Sequence, residues 1–574
     1  MKDAPDLYAR CVSDDTLDGS SRAKRLGAYY TDEVIATFLV SWAVRDANDT
    51  VLDPSFGGGV FLTAAARRLD TLGGTGREQV YGVEVDADVH RQISRELHAR
   101  QGIAPQQLIY ADFFDVAAGS AELPRFDAVI GNPPYIRYQH FSGAAKERAL
   151  ARVASYGVTL SRLSSSWAPF VVHSAMQLRE GGRLAMVVPI ELAHAAYARP
   201  VLEHLTHTFR HVSLLTFRRP LFPHLSQETV LLLADGKDEP FVSLDWRDVE
   251  GIDALAALPT PLPRCHTLDR HALASGRDRL TTRFVSPDAQ QLYRTLSKTS
   301  LRLGDVANIS TGYVTGANTF FHLSDDDVRT WRLPSDVLRR AVFRSRALRG
   351  LRFTADDWHE AAQGGRAGYL LSLDKRPLPE FDAQTQRYLR DGERSGAPRS
   401  YKCRRREYWY HVPRVYVPDA FLSYMSGSRP TLVSNDAGAT APNTLYLVEL
   451  YGLAPLGQWT LTLLWHSSLC ELSCELEGHA LGDGMLKLEP AEAKRVLIPN
   501  VSADLRDLAG DVDRLLRNEQ PDKARTLVDQ AVLQDGLGLS ARDCRLLYET
   551  AAQLRERRLY RRRMARAARR RPKQ

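Results

Sequence analysis

The chain has 574 residues, 44% apolar and 25% charged, proportions that exclude a disordered, collagenous or fibrous protein and predict about two to four domains. It has no apolar run long enough to cross a bilayer, and Met1 to Asp15 lack an apolar signal core, so neither a membrane partner nor secretion is expected. The net charge of +7 is local, because residues 551–574 carry 11 Lys/Arg and one Glu while the rest of the chain is slightly acidic. That arm reads either as a contact to a phosphate backbone or as a solvated tail. The cysteines (Cys11, Cys265, Cys403, Cys470, Cys474 and Cys544) form no CxxC pair. They point to a reducing cytoplasm, with no disulfide scaffold and no zinc cluster.

From Thr50 strand-like and helix-like segments alternate. The strand-like runs are Thr50–Asp53, Val80–Val85, Leu108–Tyr110, Phe126–Gly131, Arg183–Pro189, Val212–Phe217 and Thr229–Ala234. Helices are predicted over Val60–Leu69, Ala87–Arg100 and Trp167–Arg179, with Arg179–Arg183 (REGGR) as a stop before the next strand. This pattern predicts an α/β fold with a doubly wound, mostly parallel sheet over residues 1–245. Residues 246–300, rich in Pro, Asp and Arg, read as a connector. Residues 301–500 read as a mixed α+β domain, in which Asp325–Asp327 mark a helix start. Residues 501–574 read as a helical segment with an Arg-rich tail, on the spacing of Leu505, Leu508, Val512 and Leu515.

Four strand ends carry chemistry. Val51–Leu62 (VLDPSFGGGVFL) ends a strand in Asp53 and turns through a Gly-rich loop into a helix. Such a loop brings backbone close to a ligand, and it is neither a GxxxxGK[ST] nor a GxGxxG loop. Glu84 ends the second strand, where a carboxylate can accept from ribose hydroxyls. Asp112 follows the third strand, placed to accept from an adenine amino group. Either acid alone also suits a helix N-cap. The fourth segment is Val129–Gln139, where a buried strand runs into Asn132-Pro133-Pro134-Tyr135. The prolines make a rigid turn. It offers the Asn132 side-chain oxygen and the Pro133 carbonyl as two acceptors for the two hydrogens of an exocyclic amine, beside a flat Tyr135 ring for a base.

With these parts in this order, the sequence resembles the S-adenosylmethionine-dependent DNA adenine-N6 methyltransferases of the gamma, TaqI-type arrangement, from Gly27 to about Pro499. The resemblance implies a Rossmann-like methyltransferase sheet and a cofactor site formed by Tyr30, Thr31, Asp53, Pro54, Ser55, Gly57, Gly59, Glu84, Asp112 and Phe113. It implies a catalytic Asn132, Pro133, Pro134 and Tyr135, and no metal. Phe222, in Leu221–Leu233, corresponds to the aromatic residue that packs on a flipped base. Phe56 stands where many relatives have Cys, a variation expected to be tolerated.

Segments 303–321, 435–448 and 478–499 resemble the opening and closing parts of target-recognition domains. Within 401–414, Arg404, Arg405 and Arg406 are expected to contact DNA. Double-stranded DNA is therefore the expected partner, in the cytoplasm and nucleoid, with any cleavage by a separately encoded restriction endonuclease. Two other readings remain at this stage: an rRNA or protein-glutamine methyltransferase with the same turn, and a non-catalytic DNA-recognition subunit.

Overall fold

The computed structural model describes residues 31–570, apart from 118, 120–122, 137, 194–195, 220, 223–227, 261, 264–265, 275–279, 453–456, 482–483 and 503–504. Tyr30 lies outside the described residues. The chain divides into two compact units, the first formed by residues 1–280 together with 563–574 and the second by Thr281–Arg562.

The first unit is built on one nine-stranded sheet. Its strands are β1 (Val51–Asp53), β2 (Val80–Glu84), β3 (Leu108–Tyr110), β4 (Phe126–Gly131), β5 (Leu178–Pro189), β6 (Phe209–Phe217), β7 (Thr229–Lys237), β8 (Ser243–Val249) and β9 (His266–Thr267). Their order is β3-β2-β1-β4-β5-β7-β6-β8-β9. Strands β3 to β5 are mutually parallel, and β7 runs antiparallel between β5 and β6. After β1 the chain winds outward to β3, then returns to place β4 on the other side of β1. That reversal is a switch point, where the carboxyl ends of β1 and β4 leave a crevice.

Strand β4 is buried along its whole length, as a strand covered on both faces must be. Ala128, Ile130, Ala185 and Val187 share one core cluster with the helices Glu33–Ala43 and Val60–Leu72. The alternate residues Val129, Leu184, Met186 and Val188 are also fully buried, and the helix Trp167–Met176 packs on β5.

All seven expected strands are present, Leu108–Tyr110 and Phe126–Gly131 with the expected bounds and the other five with shifted ends. The helix expected to reach Arg179 ends at Met176, and β5 starts at Leu178. The register against β4 jumps there, from Phe126 opposite Leu178 to Ala128 opposite Arg183, so REGG is a bulge within the strand and not a helix stop. The expected connector over 246–300 is not a single segment. Strand β8 pairs with β6 through Val249, β9 pairs with β8, and the helix Pro287–Thr299 belongs to the second unit.

In the second unit a five-stranded sheet has the order Ala307–Thr311, Tyr446–Leu450, Ala420–Leu422, Leu432–Asn435, Arg352–Phe353. The first two strands pair antiparallel, and Leu301–Arg302 pairs with Leu497–Ile498, so sequence segments far apart in the chain become neighbours. Ser324 accepts from the Asp327 amide and starts the helix Asp325–Trp331, in line with the acidic triplet. Helices after residue 500 contribute Val512, Val528, Leu547 and Ala551 to the same core as Leu461, Leu472 and Leu497. They are part of this unit's packing. Among the described residues, no helix is long and apolar enough to cross a membrane.

Candidate active site at the carboxyl ends of the parallel strands

Asp53, Glu84, Asp112 and Asn132 stand at or just beyond the carboxyl ends of β1, β2, β3 and β4. Asp53 is buried, and one carboxylate oxygen accepts from the Ser55 amide at 3.1 Å. Its other oxygen is buried with no hydrogen-bond partner. Burial pushes this carboxyl up to about 8. An orphaned buried oxygen on a carboxyl that resists ionisation leaves unmet hydrogen-bonding capacity at the end of β1.

The loop that follows is shaped by two glycines. Gly59 has φ +74° and sits at the N-cap of Val60–Leu72, which has no side-chain cap, so its first amides remain available to an anionic group. Gly82 on β2 allows Phe56 to turn inward, because a Cβ there would lie 2.6 Å from the Phe56 ring. Phe56 thereby becomes a buried core residue.

Glu84 accepts from the Gly57 amide at 3.0 Å and from the Val85 and Asp86 amides at 2.9 Å each. It ties the cofactor-type loop to the end of β2, while Asp86 takes the N-cap role for Ala87–Gln101. Burial still leaves the Glu84 carboxyl raised. Asp112 accepts from the Phe114 amide at 3.1 Å and pairs with Arg148 at 2.9 Å. Burial raises its carboxyl as well. The Arg148 ion pair is not legible in the sequence. Neither is the role of His173, which lies 3.0 Å from the carbonyls of Phe113 and Val116 and holds that segment against Trp167–Met176. Burial lowers the imidazole to about 4 and keeps it neutral.

Asn132 is linked to Asp53 through Ser55, whose hydroxyl donates to the Asn132 carbonyl at 3.3 Å. The Asn132 side-chain amide donates to the Thr31 hydroxyl at 3.2 Å, so Thr31 touches the catalytic-type turn. The Tyr135 hydroxyl lies 2.5 Å from the Asn132 side-chain oxygen and 2.9 Å from the Val187 carbonyl on β5. These contacts tether the hydroxyl end of the ring to the turn and to β5. Ser166 bonds the turn at Pro134 and Ile136.

Phe222 differs from an open base platform. It is 5% exposed and packs in the core with Leu215, Phe217 and Leu221. In the second unit, Arg404 and Arg405 are exposed and lie over the Tyr401 ring at 5.5 and 4.9 Å. Arg406 is half-buried and donates to the Val314 carbonyl at 2.6 Å, a local structural bond.

The phosphate-arm reading of the tail fails for three arginines. Arg555 pairs with Glu471 at 2.9 Å. Arg558 is 3% exposed, binds Glu475 through two nitrogens and also donates to the carbonyls of Gly427, Ser428 and Gly484. Arg557 lies 3.7 Å over the Phe284 ring. Arg555 and Arg558 fasten the interior of the second unit, and Arg557 packs half-buried beside them.

Residues 18–196 match the N-6 DNA Methylase family, and residues 277–533 match the C-terminal domain of Type II methyltransferase M.Eco57I. The chain is similar to Type II methyltransferase M.XamI of Xanthomonas campestris pv. amaranthicola, at 24% identity over 84% of this chain and 86% of that one. It is also similar to Type II methyltransferase M.AccI of Acinetobacter calcoaceticus, at 18% identity over 82% and 85%. A solved structure of the Type IIL restriction–modification enzyme MmeI in complex with DNA shares the fold, with a TM-score of 0.55 at 12% identity over 94% of this chain and 80% of that one. The chain is thus an S-adenosylmethionine-dependent DNA methyltransferase of the N6-adenine kind, related to the Type II enzymes of restriction–modification systems.

Proposed function

We propose that the crevice at the ends of β1 to β4 holds the methyl donor and a flipped-out adenine, in the gamma arrangement with target recognition C-terminal to catalysis. The observation that carries this reading is the orphaned Asp53 oxygen, joined through Ser55 to Asn132 on the neighbouring strand end. Asp53, Pro54, Ser55, Gly57, Gly59 and Glu84, with Thr31, Asp112 and Phe113, would hold the cofactor, which supplies an activated methyl group. Buried Asp53 suits its cationic end, and the uncapped helix start at Gly59 suits its carboxylate.

The chain's own residues deal with the amino group of the target. Its nitrogen is a weak nucleophile because its lone pair is delocalised into the ring. The Asn132 oxygen and the Pro133 carbonyl accept its two hydrogens and favour a more tetrahedral nitrogen. Their dipoles stabilise the positive charge that grows there, and the proton then leaves to water. The Asn132 oxygen already accepts from the Tyr135 hydroxyl and has a second lone pair for the target amine. Flipping costs a few kcal/mol of unstacking, and Tyr135, which is nearly as buried as Phe222, would offset part of it only through whatever ring surface the incoming base meets. Phe222, buried in the core, is not assigned to the base. Residues 301–500 would choose the sequence, with Arg404 and Arg405 on the DNA. Such an enzyme works in the cytoplasm and nucleoid, and a separately encoded restriction endonuclease would cut unmodified sites.

The test is modification-aware sequencing of DNA from cells expressing the protein, with mass spectrometry of the digested nucleosides. N6-methyladenine at one recurring sequence, lost in Asn132→Ala, is the expected result. N6-methyladenine that persists in Asn132→Ala would refute the assignment of the turn.

A further inference from the structure

The Asn-Pro-Pro-Tyr turn has a structural problem of its own. Prolines at 133 and 134 supply no amide hydrogens, so the turn cannot brace itself with backbone bonds at those positions. Something outside it must fix its shape. Ser166 lies just before the helix Trp167–Met176 and is fully buried. Its hydroxyl donates to the Pro134 carbonyl and accepts from the Ile136 amide at 2.8 Å, while its own amide donates to the Ile136 carbonyl at 3.0 Å. Serine at a helix start ordinarily caps that helix, yet Ser166 makes no side-chain cap bond. Its hydroxyl is committed to the turn.

The neighbouring Ser164 is just as buried, and its hydroxyl has no partner, so burial of a serine here does not by itself create the contact. Resting on the function proposed above, we infer that Ser166 is the positioning residue of the catalytic turn. It sets the Pro133 carbonyl and the Asn132 oxygen at the spacing that two amine hydrogens require. Ser55 braces the other side through the Asn132 carbonyl.

The experiment compares Ser166→Ala with Ser164→Ala in the full chain. Single-turnover transfer of tritiated methyl from S-adenosylmethionine is measured on genomic DNA from a host without adenine methylation, and cofactor affinity by calorimetry. Ser166→Ala should slow transfer by roughly 10- to 100-fold, the effect of a small misplacement of reacting groups, with cofactor affinity unchanged. Ser164→Ala should match wild type. Ser166→Cys, which keeps the volume with a weaker donor, should fall between, and it decides by the same readouts if the alanine variant does not fold. A wild-type rate in Ser166→Ala, equal losses in both alanine variants, or a rate loss matched by weaker cofactor binding would overturn the inference. Wild-type protein that leaves no N6-methyladenine would instead defeat the proposed function.

Discussion

Burial holds the Asp53 carboxyl near 8, so below that pH the free enzyme keeps a proton that the unfolded chain has released above the ordinary value of 3.8. Its contribution to stability is complete below 3.8 and is lost as pH rises through about 8. The ligand-free protein should therefore melt at a lower temperature as pH is raised toward 8, and Asp53→Asn should flatten that slope in scanning calorimetry. A cationic ligand works against the proton. S-adenosylmethionine should bind roughly tenfold tighter per pH unit on approach to 8, and Asp53→Asn should abolish the trend along with most of the affinity. A pH-independent affinity in wild type would remove Asp53 from the site. Glu84→Gln keeps an acceptor but loses the charge, and should weaken binding by roughly tenfold, near the low end for a charge-assisted hydrogen bond. These residues can be picked from sequence because a strand end followed by a tight loop fixes where a side chain emerges. Arg148 on Asp112, Ser166 on Pro134 and Thr31 on Asn132 cannot, since each partner is 32 or more residues away and no local pattern links them.

At the scale of elements, apolar runs bounded by polar loops locate β1 to β7, because burial on both faces demands continuous hydrophobic strands. Strand β8, Ser-Leu-Asp-Trp-Arg-Asp-Val, alternates with charge and so reads, in sequence, as the start of a connector. Its Asp245 is buried but accepts from Ser243 and Thr267, a local solution that apolar periodicity does not register. The C-terminal helix is the clearest divergence. A dense run of arginines looks solvated, yet Arg555 and Arg558 meet Glu471 and Glu475, spaced four apart on Ser468–Glu477. Removing one member strands a buried charge. Arg558→Ala should destabilise the second unit by about 3–5 kcal/mol, measured as a lower denaturant midpoint. A midpoint within error of wild type would show that the pair carries no net weight. The double change Arg558→Met with Glu475→Leu should recover only part of the stability, since it leaves neither of these two charges unpaired but strips the carbonyls of Gly427, Ser428 and Gly484 of their donor.

In the proposed function the two units would divide the chemistry of the whole molecule. The strand-end residues of the first unit stand on a sheet with its own core, and Arg404 and Arg405 stand on the second unit with another. Since Arg555 and Arg558 are engaged inside the second unit and Arg557 packs beside them, removing residues from 555 onward would unfold structure and test nothing about DNA. A cut after Arg563 is the informative one, because it removes five Lys/Arg and spares those fasteners. A basic side chain that neutralises a phosphate releases a counterion, so each phosphate left without its cation should take roughly 0.9 from the slope of log affinity against log salt. The shortened protein should bind DNA more weakly with a shallower slope, and should methylate the same sequence as wild type. Arg404→Ala with Arg405→Ala separates two roles by the same logic. Stacked on Tyr401 and exposed, these side chains bond no buried group, so the fold should hold. If they touch phosphates, the slope shrinks and the methylated sequence is kept. If they reach base edges, the sequence relaxes at one or two positions at about 1–3 kcal/mol each. A double variant that changes neither the slope nor the sequence would take this surface off the DNA altogether and leave recognition to other residues of the second unit.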